Sequence, residues 1–143
     1  MSSSSIILSL NEVAALGALH AECEAAQDLD GVMTTLSDNP VYEYPTLDKQ
    51  FSGTDNALRF YQYFFASYSP NVVGGTLIGQ WVNENSVAQE YVIECSFNGV
   101  KETHRVLGVL LVEGNKLSGE RVFASEQVIK RMIGPLFDEL IAL

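Results

Sequence analysis

Apolar side chains along this chain follow one spacing up to about residue 71 and another beyond it. Ser9-Leu-Asn-Glu12 has the spacing of a capping box, and Val13, Leu16, His20, Cys23 and Gln27 follow at helical intervals. This predicts a first helix over about 10–27. Asp28 is placed to cap a short second helix ending near Ser37. Pro40-Val-Tyr-Glu-Tyr-Pro45 reads as a short strand, and Thr54 or Asp55 opens a third, aromatic-rich helix that Pro70 stops.

From residue 72 the period becomes two. Val72–Val82, Val87–Phe97, Val100–Val112 and Lys116–Ala124 read as long antiparallel strands, with Asn98-Gly99 the sharpest hairpin signal. A last helix starts at Glu126 and breaks near Gly134-Pro135. Helices first and a strand meander afterwards predict an α+β fold, with helices packed on one face of a curved sheet.

A two-residue Asn98-Gly99 turn pairs Phe97 with Val100, Cys95 with Glu102, Ile93 with His104 and Tyr91 with Val106. Tyr91, Ile93, Cys95, His104 and Val106 then share one face. Arg105 lies on the other with Glu90 and Glu94, as a surface charge cluster. Leu107, Val109 and Leu111 also point outward, which suggests that a second copy of the chain covers that face. Glu120 depends on the next turn. Two residues, Gly114-Asn115, send it outward; three residues, Glu113-Gly114-Asn115, bring it inward. The face of Trp81 stays open.

Composition narrows the function. The 143 residues suffice for one domain with a real core, and 47% of them are hydrophobic, so disorder is expected only over about residues 1–8. Eighteen acidic against eight basic side chains give a formal charge of −10, which argues against nucleic acid or an anionic membrane surface as partner. No apolar run approaches the roughly 20 residues of a membrane helix, and the N-terminus lacks the basic region of a signal peptide. Two cysteines, Cys23 and Cys95, favour a reducing, cytoplasmic setting over a disulfide framework. No paired Cys or His-x-x-x-His spacing suggests a metal, and no glycine-rich loop suggests a nucleotide, so no cofactor is expected.

The segments "DLDGVMTTLSDNPVYEYP" (28–45), "FSGTDNALRFYQYFF" (51–65) and "LGVLLVEGNKLSGERVF" (107–123), in this element order, resemble the nuclear-transport-factor-2-like superfamily, and within it the SnoaL-like polyketide cyclase branch. The resemblance covers nearly the whole chain. It implies a conical half-barrel closed by about three N-terminal helices, a pocket inside the cone and often a dimer through the outer sheet face. By the same resemblance, His20 falls where ketosteroid isomerases carry an oxyanion-contacting tyrosine, and Tyr44 where they carry the proton-moving aspartate. Gly108 takes the place of their second acid. Tyrosine and glycine there depart from the isomerase pattern. The epoxide hydrolase branch is excluded: its Arg-x-Asp strand pair stands here as Tyr91-Val92-Ile93, and its second aspartate as Val122.

Two classes of function remain. In the first, His20 and His104, with Glu120 if it faces inward, shuttle a proton for an isomerase, cyclase or dehydratase acting on a hydrophobic, carbonyl-bearing molecule. Tyr44 and Tyr42 would stabilise the oxyanion, and Tyr91, Ile93, Cys95 and Val106 would line the pocket. In the second, the same pocket belongs to a non-catalytic ligand-binding or dimerisation module, and the tyrosines are core aromatics.

Overall fold

The computed structural model describes residues 7–143, so most of the N-terminal stretch expected to be flexible lies outside the described residues. Helix α1 (Leu10–Ala25) begins at the foreseen capping box: Ser9 Oγ accepts from the Glu12 amide at 3.1 Å, and Glu12 Oε1 accepts from the Ser9 amide at 2.9 Å. Helix α2 (Leu29–Thr34) starts on Asp28, whose carboxylate accepts from the Gly31 amide. It ends three residues before the expected point, because strand β1 already begins at Leu36 and runs to Tyr44. A short strand β2 (Lys49–Ser52) and helix α3 (Thr54–Tyr63) follow. The helix widens into a π-turn over Phe64–Tyr68 before Pro70 closes it.

The long strands are β3 (Val72–Asn83), β4 (Ser86–Phe97), β5 (Val100–Glu113) and β6 (Lys116–Phe123). Helix α4 (Glu126–Ile133) comes next, ending at Gly134, and a two-residue strand β7 (Ile141–Ala142) completes the order. The seven strands among the described residues join one curved sheet in the order β3-β4-β5-β6-β1-β2-β7. Every pairing is antiparallel except β1 with β6. The helices close its concave side, as in the conical nuclear-transport-factor-2-like fold. No helix among the described residues is long and apolar enough to cross a membrane.

The β4–β5 hairpin has the register read from Asn98-Gly99, down to Cys95 opposite Glu102 and Tyr91 opposite Val106. Both turn residues take positive φ (53° and 79°), as a type I′ turn requires. On the outer face Arg105 Nε meets Glu90 Oε2 at 2.9 Å. Leu107, Val109 and Leu111 are half-buried there. Trp81 pairs with Ala88, which pairs with Val109, so Trp81 belongs to this outer face, where it is 58% exposed.

The β5–β6 turn corrects the reasoning about Glu120. It has two residues, with Glu113 opposite Lys116, and yet Glu120 faces inward. A bulge reverses the parity: Val112 pairs with Leu117 and Leu111 with Gly119, leaving Ser118 without an opposite number. Strand β1 then lies so close to β6 that a side chain at Gly119 (φ 152°) would run into the Val41 carbonyl.

Candidate active site

Helix α1 lies against the sheet because Gly17 permits close approach: a Cβ there would stand 2.7 Å from Val87 Cγ1. One turn on, His20 and Glu24 (i, i+4) point from that helix into a cavity of about 520 Å³. Its far wall is sheet, with Tyr91 and Ile93 from β4, Gly108 and Leu110 from β5, and Glu120 from β6. Phe64 and Tyr68, from the π-turn, flank it. The lining is mostly apolar, with acid–base groups on two facing elements.

Buried hydrogen bonds hold His20 from behind. The Thr35 hydroxyl donates to the Val32 carbonyl at 2.6 Å, so its oxygen must accept from His20 Nδ1–H at 2.8 Å. That leaves Nε2 for the cavity side. Tyr61 Oη lies 3.0 Å from Nε2, 2.8 Å from Tyr42 Oη and 3.2 Å from Glu24 Oε2, and Nε2 itself is 3.4 Å from Glu24 Oε2. With His20 neutral, Tyr61 donates to Nε2; with His20 protonated, Tyr61 donates to Glu24. Tyr42 donates to Tyr61 in both states.

Charge follows from this geometry. Burial alone would lower the pKa of His20, but the Glu24 carboxylate, its hydrogen bond and Glu120 outweigh that and raise it above the ordinary value. Burial, then repulsion from Glu24, pushes Glu120 up to about 8, with His20 partly offsetting them. Tyr42, Tyr44, Tyr61 and Tyr91 are held as neutral phenols, with pKa values well above the ordinary one, first by burial. At neutral pH the cavity therefore offers a protonated carboxyl on Glu120, facing a second acidic side chain, Glu24, that His20 braces.

The residues expected from sequence do not all converge. His20, Glu120, Tyr91 and Ile93 line the cavity. His104 does face inward, but its Nε2 bonds Glu102 Oε1 at 2.9 Å, outside the cavity lining, so the two imidazoles do not form a pair. Face assignment fixes the side of a strand, not the position along the cone. Tyr42 and Tyr44 are buried behind the wall, where Tyr42 meets Tyr61 and stacks on Phe51 at 4.8 Å. Neither tyrosine contacts the space a ligand would fill. Cys95 and Val106 are core residues off the cavity. Sequence reasoning missed Glu24 and the role of Tyr61. The four-residue spacing of His20 and Glu24 was the available signal for the first; nothing local marked the second.

No family model matches the chain, and no curated relative does. Solved structures do match. A candidate ketosteroid isomerase from Kribbella flavida DSM 17836 superposes with TM-score 0.68 at 18% identity, over 82% of this chain and 80% of that one. An NTF2-like protein from Anabaena variabilis ATCC 29413 gives TM-score 0.69 at 19% identity, over 88% and 95%. An NTF2-like protein of unknown function from Burkholderia xenovorans LB400 gives 0.62 at 20%, over 80% and 84%. These similarities establish the nuclear-transport-factor-2-like fold.

Proposed function

We propose that this protein is a cofactor-independent acid–base enzyme of the isomerase, cyclase or dehydratase type, moving a proton next to the carbonyl of a hydrophobic small molecule. The observation that carries the reading is the pair of carboxyls on one apolar cavity, one of which, Glu120, is raised in proton affinity by burial and by its neighbour Glu24. Glu120, protonated at neutral pH, donates a hydrogen bond to the substrate oxygen as negative charge develops there. Glu24 takes the proton from the neighbouring carbon, and His20 with Tyr61 holds it in place. The mostly apolar lining suits an uncharged substrate. Similarity to a candidate ketosteroid isomerase is in keeping with this class of chemistry. In the same reading the chain acts in the cytoplasm, and a second copy covers Leu107, Val109 and Leu111.

The test is proton exchange. Apolar ketones incubated with the protein in D2O are expected to take up deuterium beside the carbonyl, and Glu24→Gln and Glu120→Gln should each abolish the uptake. Ketones that bind, seen by thermal shift, yet come back unlabelled and unchanged would favour the second reading, a ligand-binding module. The apolar lining supports that alternative equally well.

A further inference from the structure

We propose that Cys95, Glu102 and His104 form a binding site for a zinc-like divalent cation, separate from the cavity. The β4–β5 register sets Cys95 directly across from Glu102, and His104, two residues on, projects from the same face. The thiol sulfur, a carboxylate oxygen and an imidazole nitrogen lie within 4.8 Å of one another. Around zinc, with metal–sulfur and metal–nitrogen distances of about 2.3 and 2.0 Å, a tetrahedron has edges of roughly 3.3–3.6 Å. Side-chain adjustments on the order of 1 Å therefore close the three donors on one ion.

The donor set is the one zinc favours: thiolate, imidazole and carboxylate. Thiolate and carboxylate together balance the charge of the ion. Arg131 Nη2 holds the other oxygen of Glu102 at 2.7 Å, which turns Oε1 toward His104 and suits an outer-shell role. Arg131 is itself fixed over the Phe97 ring at 4.2 Å.

An ion network of His104, Glu102 and Arg131 would explain those three residues without a metal. It leaves other observations unexplained. The Cys95 thiol has only a weak contact with the Glu102 carbonyl, at 3.8 Å. Among the described residues, the buried side-chain polar atoms without any partner are Tyr68 Oη and Arg131 Nε. Both adjoin this cluster: Tyr68 packs on the Phe97 ring that Arg131 covers. Three protein ligands leave a fourth position to water. Starting from neutral Cys95 and His104, binding releases one net proton. The thiol loses its hydrogen, while the imidazole proton leaves Nε2 and one from solvent adds at Nδ1.

Titration of the metal-free full chain with Co2+ tests the assignment. A single equivalent should bind with a near-ultraviolet thiolate-to-cobalt absorption and visible tetrahedral bands, both bleached by Zn2+. Cys95→Ser should abolish the thiolate band, and Cys95→Ser and His104→Asn should each weaken Zn2+ binding at least about tenfold. His20→Asn should leave Zn2+ binding unchanged, which separates this site from the cavity. Should those variants not fold, the wild-type protein decides: its melting temperature should rise with Zn2+ and fall back with a chelator. Absence of the thiolate band in wild type, an unchanged Zn2+ affinity in Cys95→Ser, or a melting temperature indifferent to Zn2+ would each overturn the proposal.

Discussion

Glu120 occupies the space that a side chain on Gly108 would need: a Cβ there would stand 2.7 Å from Glu120 Oε2. The smallest side chain at 108 must therefore displace the carboxyl. Gly108→Ala is expected to reduce proton exchange about tenfold or more, since a misplacement of a catalytic group by about 1 Å can cost about a hundredfold. The obstructing atom ends a flexible side chain, so denaturant unfolding should show a loss of less than about 1 kcal/mol.

The proton on Glu120 can be observed without any substrate. Carbon-detected NMR titration should place its midpoint near the value of about 8 that burial and Glu24 impose. Glu24→Gln removes the repulsion and should lower the midpoint. His20→Asn removes the opposing positive charge and should raise it.

Stability should follow the same proton. A carboxyl raised in the folded state favours folding while protonated, and this advantage is lost as pH climbs from its ordinary range, about 4.3, through about 8. His20, also raised, adds stability below its ordinary value of about 6.5, and this too disappears as pH passes its folded value. Both terms weaken toward alkali. Glu120→Gln should therefore melt higher than wild type above pH of about 8, with the gap closing toward acid and the His20 contribution remaining.

Tyr61 is the shared node of the buried relay. Tyr61→Phe strands the Tyr42 hydroxyl and His20 Nε2 together, so it should cost about 2–4 kcal/mol in urea unfolding. Tyr42→Phe removes one donor to Tyr61 and should cost nearer 1 kcal/mol, about the worth of one hydrogen bond. The double variant should cost less than the sum, because the two hydroxyls serve each other. Simple additivity would mean that the contact contributes nothing.

The outer sheet face carries Trp81, Val109, Leu107 and Leu111 with no covering element among the described residues. Val109→Lys should convert a dimer to a monomer in sedimentation velocity, without altering the circular dichroism. A monomeric wild type would end the proposal that a second copy covers it.

Much of this architecture was legible because turn chemistry and strand alternation are local. Asn98-Gly99 dictated every pair of its hairpin, and Ser9 with Glu12 marked the start of α1. Lys49–Ser52 escaped notice because four residues are too few to show alternation. The site was harder. Glu24 resembles any surface acid until α1 is docked on the sheet, and Tyr61 meets Tyr42 only through packing across 19 positions. The inward turn of Glu120 rests on an unpaired Ser118, which no side-chain pattern announces.

That unpaired residue makes the site a matter of counting. Were Ser118 to take Leu111 as its partner, the hairpin turn would stay in place but everything beyond it would rotate by half a pleat, setting Glu120 opposite Val109 and carrying its acid out to solvent. A working pocket and an inert scaffold of the same shape stand one step of strand register apart.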